Sequence, residues 1–360
     1  MEERRGSRMR QADRVTVSWA FFLLLSLVAI VAVLTQMGNA GPAGVRGSSQ
    51  ALALAGSYSF DIGQPPTVTA PAAYVFDPDT GMVFYSKHAD DERPMASTTK
   101  VMTMLIAVER GNLDQVITVG ADAAALVRPD SSYMGLSKGE KLTLRDLLYG
   151  LVLPSGNDAA VAIADAIGGS VPQFVAMMNE RAAQLGLTHT HYVTPHGLDA
   201  PGHYTSARDL AVLGAVAMQN PTLRQITSVK FYDIPKTGDH KAYHLQSGND
   251  LLPRQLSPYP GAIGIKPGYT GAAGFTMAFA AVRHGHMIVG SVLGDPSWQV
   301  RITDMRLLLD WGFAQEGTQR DDVLFKTGGN GYGVLGEGPP SRYKEVVDIT
   351  RRVAASVRSR

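Results

Sequence analysis

Residues 264–283 read GIKPGYTGAAGFTMAFAAVR. The apolar run AIGI, Ala262 to Ile265, leads to Lys266. A break rich in glycine follows, and GFTMAFAAV then resumes the short, apolar and aromatic texture of a strand. A strand therefore leads into a strand. On the C-terminal side HMIVGSVLG, 286–294, reads as another strand, and RITDMRLLLDWGF, 301–313, as a closing helix. On the N-terminal side the β texture begins with SVKFYDI, 228–234, after Pro221. Before that the chain is helical. TTKVMTMLIAVER is a helix ended by Gly111 and Asn112. LTLRDLLYGLVL and DAAVAIADAIGG are two helices around Pro154–Asn157, and VPQFVAMMNERAAQLGL and SARDLAVLGAVAMQ are two more. Earlier still, AAYVFDPDTGMVFYS alternates around a turn at Asp77–Gly81, as a β-hairpin does. The order predicts an α/β fold of the α+β type: an antiparallel β-sheet flanked by helices, its strands separated in sequence by a helical insertion. Strict βαβ alternation is absent, which argues against a doubly wound sheet. No internal repeat is visible.

The N-terminus predicts a compartment. MEERRGSRMRQADR, 1–14, is rich in arginine, and Val15–Met37 is an apolar run without a charge. Roughly 20 such residues span a bilayer as a helix. Arg4, Arg5, Arg8, Arg10 and Arg14 favour a cytoplasmic N-terminus and an exported remainder. The reading is a single-pass membrane anchor at 15–37; a signal cleaved near Ala40 would instead leave a secreted protein. Residues 38–70, rich in Gly, Ala, Ser and Pro, read as a flexible linker. Residues 71–314 form the folded domain, and 315–360 a glycine-rich loop and basic tail. The net charge of +1 gives no pull toward nucleic acid. The absence of cysteine excludes disulfides, thiolate metal sites and a cysteine nucleophile.

Three strings carry candidate chemistry. In ASTTK, Ser97 and Lys100 stand three apart at a helix start, so they share a face. The helix dipole and burial both disfavour an ammonium there, and a neutral lysine can take a serine proton. The plainer alternative is that Ser97 or Thr98 caps the helix. In LPSGNDAA, a loop between two helices presents the Ser155 hydroxyl and the Asn157 amide. In the opening stretch, Lys266 is either an active-site charge or a lysine in a turn made by Pro267 and Gly268. An edge strand there can pair with an extended peptide and offer N–H groups to an oxyanion.

Each string has a double. SRYK, Ser341–Lys344, repeats the first pattern in the polar tail; LQSGNDLL repeats the second at Ser247–Asp250; Lys326 in FKTGGNG repeats the third after the closing helix. GYGVLG matches a phosphate loop, but no helix follows it. His189, His191, His196 and His203 lie in a loop, and His240 and His244 in HKAYH lack the adjacent glutamate of a metalloprotease helix. No metal site and no cofactor are expected.

Taken in order, STTK, SGN and KPG resemble the three motifs of the penicillin-binding proteins, the serine–lysine family. The resemblance is closest to low-molecular-mass D-alanyl-D-alanine carboxypeptidases and covers about Ala70 to Phe313. AYVFDPDTGMVFYSKHADDERPMASTTKVMT, LLYGLVLPSGNDAAVAIADAIGGS, VTPHGLDAPGHYTSARDLA, GIKPGYTGAAG and LLLDWGF all look like that family. The resemblance implies a β-lactamase/transpeptidase-like fold that acts on peptidoglycan stem peptides and is acylated by β-lactam antibiotics. It implies Ser97 as nucleophile, Lys100 as proton acceptor, Ser155 as relay and Asn157 as substrate-orienting amide. Lys266 would supply positive potential, and the N–H groups of Ser97 and Tyr269 an oxyanion hole. Gly268, Thr270 and Arg301 would border the substrate. Pro267 departs from the family's usual threonine, whose hydroxyl helps bind the terminal carboxylate. Two alternatives stand beside the carboxypeptidase: a wall-binding module that Pro267 has left without turnover, and a β-lactamase, for which no deacylating glutamate is identified.

Overall fold

The computed structural model describes residues 63–253 and 255–326. The apolar run at 15–37, the SRYK double and the basic tail lie outside them. Among the described residues no single helix is long and apolar enough to cross a membrane.

Strands β1 (Ala72–Phe76) and β2 (Val83–Lys87) form the N-terminal hairpin. Asp77 sets its turn: the carboxylate accepts from Asp79 N–H at 2.7 Å and its carbonyl from Gly81 N–H at 2.8 Å. A single 3-10 turn, Ala96–Thr99, runs into α1 (Lys100–Arg110). The small pair β3 (Val116–Thr118) and β4 (Lys141–Thr143) follows. Next come α2 (Leu144–Val152), α3 (Asn157–Gly168), α4 (Val171–Gln184), α5 (Ala207–Gln219) and α6 (Pro221–Ser228). Strands β5 (Phe231–Ile234) and β6 (Tyr243–Gln246) make a separate hairpin. Then β7 (Ala262–Thr270), β8 (Gly274–Arg283) and β9 (His286–Asp295) complete the main sheet, and α7 (Trp298–Lys326) closes the chain.

The main sheet has the order β2-β1-β9-β8-β7, antiparallel throughout. The helical segment thus lies in sequence between β2 and β7, as the element order predicts. The sheet is covered on both faces, so its inner strands β1, β9 and β8 are apolar on both. Tyr74, Phe76, Ala278, Ala280, Val289 and Leu293 join the core shared with α1 and α5. Their neighbours Ala73, Val75, Met277, Phe279, Ile288 and Val292 join Ile302, Met305, Leu308 and Leu309 of α7 on the other face. This is the two-residue alternation of a strand applied to two cores.

Two expectations change, and one alternative falls. Lys266, Pro267 and Gly268 do not form the turn that stood as the alternative; they continue β7, which lies at the sheet's edge. Proline is tolerated there because one side of an edge strand needs no ladder donor. The closing helix does not stop at Phe313 but reaches Lys326, so Lys326 belongs to its last turn. Gly312 within the helix serves close packing: a Cβ there would lie 2.9 Å from Ile288 Cδ1. Finally, the end of the stretch read as linker is packed. Val68 and Ala70 are buried, and the amides of Thr69 and Ala70 donate to Asp304 at 2.6 and 2.7 Å.

Candidate active site

Lys100 is fully buried at the first position of α1. Its Nζ lies 3.0 Å from Ser97 Oγ, 2.7 Å from Asn157 Oδ1 and 2.6 Å from the His196 carbonyl oxygen. Ser97 is not a helix cap: the cap positions are Met95 for the 3-10 turn and Thr99 for α1, and neither caps through its side chain. Burial, with nearby Lys266 adding to it, lowers the Lys100 pKa well below the ordinary lysine value; Asp158 opposes this. A neutral amine has two N–H groups and one lone pair. The carbonyl oxygens of Asn157 and His196 can only accept, so they take both N–H groups. The lone pair is then left for the Ser97 hydroxyl.

Asn157 is fixed at both ends of its amide. Its Nδ2 donates to Ser131 Oγ at 2.8 Å, and its backbone N–H to Ser132 O at 2.8 Å. The loop holding Ser131 is itself anchored by Asp158. That buried carboxylate accepts from the N–H groups of Met134, Gly135 and Leu136 at 2.8, 2.8 and 2.9 Å, and from Ala159 at 2.9 Å. Ser155 precedes α3 with φ +63°, and its Oγ is buried with no hydrogen-bond partner among the described residues.

Strand β7 meets the nucleophile directly. A Cβ built on Gly268 would lie 2.9 Å from Ser97 N and 2.5 Å from Thr276 Oγ1, so only glycine fits. Lys266 is fully buried, donates to the Pro267 carbonyl at 3.0 Å, and has its pKa lowered to about 7 by burial and then by Arg301. Arg301 sits behind the strand. Its Nη1 reaches the carbonyls of Gly268 and Thr276 at 3.5 and 3.3 Å, and its Nη2 is 3.7 Å from Asp250. Thr270 points elsewhere: its hydroxyl donates to Asp199 at 2.8 Å. The Tyr269 ring is exposed and lies against Phe275, centroids 4.4 Å apart.

Ser97, Lys100 and Asn157 are therefore brought into contact, with the Lys266–Gly268 strand against them. Several residues that carry this site were not singled out from sequence. Ser131 and Asp158 are two; Asp158 could have been noticed as a charge directly after Asn157. The histidine loop is another. His191 meets Gly202 O, His203 meets Thr99, and the His196 backbone meets Lys100. Among the described residues no cluster of three or more His, Cys, Asp or Glu is placed to hold a metal. His244 lies on a strand, so it and His240 do not share a helix face.

The family model of the S11 peptidases, described as D-alanyl-D-alanine carboxypeptidase, matches residues 60–297. The D-alanyl-D-alanine carboxypeptidase of Streptomyces strain K15 is 36% identical over 263 residues, covering 69% of this chain and 89% of that protein. The D-alanyl-D-alanine carboxypeptidase DacD of Salmonella typhimurium is 39% identical over 258 residues, and there the match spans 64% of the relative's length. The crystal structure of the Streptomyces K15 DD-transpeptidase superposes with a TM-score of 0.66 at 34% identity, covering 70% of this chain and all of that one. The chain belongs to the S11 peptidase family, the D-alanyl-D-alanine carboxypeptidases, and is a serine peptidase.

Proposed function

We propose that the protein is a D-Ala-D-Ala carboxypeptidase that removes the terminal D-alanine from peptidoglycan stem peptides through an acyl-enzyme on Ser97. The observation that carries this is the fully buried Lys100 amine, 3.0 Å from Ser97 Oγ, whose other two partners are acceptors only. The neutral amine takes the hydroxyl proton as Oγ attacks the penultimate D-alanine carbonyl. The new C–O bond forms, the carbonyl becomes an oxyanion, and the N–H groups of Ser97 and Tyr269 receive it. The edge strand supports this role for Tyr269. Pro267 has no N–H for the ladder, so its nitrogen faces the free edge; two residues on, the Tyr269 N–H faces the same edge. The C–N bond then breaks. The proton passes from Lys100 to the leaving amine through Ser155, whose hydroxyl has no competing partner among the described residues. Water repeats the sequence on the ester, with Lys100 as base, and frees the shortened peptide and Ser97. Lys266 holds positive potential beside the leaving carboxylate.

Gly268 gives the strand its approach to Ser97, and Arg301 borders the carboxylate end; the Thr270 hydroxyl is given to Asp199 instead. A β-lactam acylates Ser97 by the same first step. A free amine can replace water as acceptor, and the likeness to a protein described as a DD-transpeptidase favours that second reaction. Residues 15–37 would tether the enzyme with its catalytic unit outside the cytoplasm.

Incubation with a fluorescent penicillin, then with a D-Ala-D-Ala pentapeptide, tests the proposal. A stable adduct on Ser97 and released D-alanine are expected, both abolished by Ser97→Ala and by Lys100→Ala. No adduct would leave a wall-binding module. Rapid loss of label with hydrolysed antibiotic would indicate a β-lactamase. Labelling that survives either substitution removes the assignment of the base and nucleophile.

A further inference from the structure

Ala96, the residue before Ser97, is buried with φ +48°. A left-handed non-glycine residue is strained and persists only where its surroundings over-determine it. Here they do. Thr99 Oγ1 donates to the Ala96 carbonyl at 2.8 Å. Gly197 presses on the same carbonyl: a Cβ there would lie 2.0 Å from Ala96 O. Behind Thr99, His203 Nε2 lies 2.8 Å from the same hydroxyl.

The proton positions follow from two sides. Thr99 has one hydroxyl proton, already given to Ala96, so it accepts from His203 Nε2–H. Independently, Val193 N–H can only donate, and it reaches His203 Nδ1 at 2.9 Å. Both assignments require the neutral ring with its proton on Nε2. Burial, with His191 and then Lys100 adding to it against Asp199, lowers the pKa to about 4, which keeps the ring neutral near pH 7.

We propose that His203 is a positioning residue that aims the Ser97 N–H: through Thr99 it fixes the Ala96 carbonyl, and thereby the peptide plane that carries the next residue's amide. The Ala96 carbonyl and the Ser97 N–H belong to one planar unit and point in opposite directions when it is trans. Fixing one fixes the other. The inference rests on the reading of Ser97 as nucleophile and oxyanion donor, and it assigns the loop histidine a task in acylation rather than in metal binding.

The test separates the acylation rate constant from the non-covalent dissociation constant, using penicillin at saturating concentrations. Loss of one oxyanion donor costs about 10²–10³-fold, so misaiming it in His203→Ala or Thr99→Val should slow acylation by about 10–100-fold, with the dissociation constant unchanged within about threefold. Thr99→Ser and His203→Gln, which keep the donors, should return to within about fivefold of wild type. The double variant should be no slower than the slower single one, as for residues acting as a unit. If His203→Ala does not fold, Thr99→Val and Thr99→Ser carry the comparison. Unchanged acylation in Thr99→Val, no rescue by Thr99→Ser, or losses that multiply would overturn the inference. If the wild-type protein forms no adduct, the proposed function fails. The ¹⁵N shifts of His203 at pH 7 then judge the positioning chain separately: protonation at Nε2 alone supports it, and protonation at Nδ1 overturns it.

Discussion

Ser-Gly-Asn-Asp occurs twice, at 155–158 and at 247–250, and the two copies direct their polar groups in opposite ways. In the first copy they go outward. Asn157 links Lys100 to Ser131, and Asp158 gathers four backbone N–H groups. In the second the Ser247 and Asn249 side chains turn back on their own chain, while Asp250 faces Arg301 at 3.7 Å. Ser247 Oγ accepts from Asn249 N–H at 3.2 Å, and Asn249 Oδ1 accepts from Leu251 N–H at 3.1 Å, which is the ordinary chemistry of an Asn turn. The glycines differ in the same sense. A Cβ on Gly156 would lie 2.8 Å from Gly150 O and 3.0 Å from Met134 N, whereas one on Gly248 meets only the Pro267 ring at 4.0 Å. Identical letters acquire different meanings because the first copy opens a buried helix beside α1, and the second closes a hairpin into a loop.

The aspartates should part most widely. Asp158→Ala leaves three loop amides and Ala159 N–H without their acceptor in a buried site, so about 3–5 kcal/mol of stability should be lost. Asp250→Ala should cost about 1 kcal/mol or less, because its carboxylate is partly exposed and its contact with Arg301 is long. Urea unfolding of both variants measures the gap. Equal losses would erase the distinction between the copies.

The asparagines sharpen it in catalysis. Asn157→Ala removes an acceptor that holds the Lys100 amine and should slow penicillin acylation by about 10²-fold. Asn249→Ala should change it by less than about threefold, since its bonds are local. Acylation rates under saturating penicillin decide this, and a comparable loss in both variants would mean that the second loop also orders the base.

How much of this was legible follows from range. The sheet, its hairpin and the helical insertion were readable because period-two and period-3.6 patterns are local. Ser97 and Lys100 were readable because one helical turn separates them. An edge strand at Lys266 was readable beside the rival turn, but its continuation through Pro267 and Gly268 was not. Proline argues against a strand locally, and tolerance depends on which strand ends the sheet, a fact set by pairings across the whole domain. His203 reaches Thr99 over 104 positions, and no local signal marks such a contact. The second Ser-Gly-Asn-Asp keeps the side-chain bonds of Ser247 and Asn249 within its own loop. That it borders the site on the Pro267 side could not be seen from its neighbours in sequence.

That border supplies the smaller effects. Pro267 faces Gly248, so the second copy touches the site through the residue that departs from the family's usual threonine. Pro267→Thr restores a hydroxyl toward the substrate carboxylate. One hydrogen bond to a charged group is worth roughly 1.5–3 kcal/mol, so kcat/KM for the pentapeptide should rise by about tenfold or somewhat more. The open space beside Gly248 leaves room for the new side chain. Unchanged or lower turnover would mean that the carboxylate is held elsewhere.

Asp250→Asn should act on the same end of the substrate, more weakly. Asp250 is the anion nearest Arg301, at 3.7 Å, and burial raises its pKa while Arg301 opposes the rise. A carboxylate at that distance competes with any substrate carboxylate for the same guanidinium. Replacing it by the amide keeps the shape and removes the competing charge. Arg301 retains the Gly268 and Thr276 carbonyls and the Phe275 ring, so it should stay in place. The long, partly exposed contact bounds the gain at about 0.5–1 kcal/mol. KM for the pentapeptide should therefore fall by about two- to fivefold, with kcat little changed because Arg301 lies away from the reacting carbonyl. A lower kcat at constant KM would place Asp250 in the chemistry itself, and the second Ser-Gly-Asn-Asp would no longer be a bystander to the first.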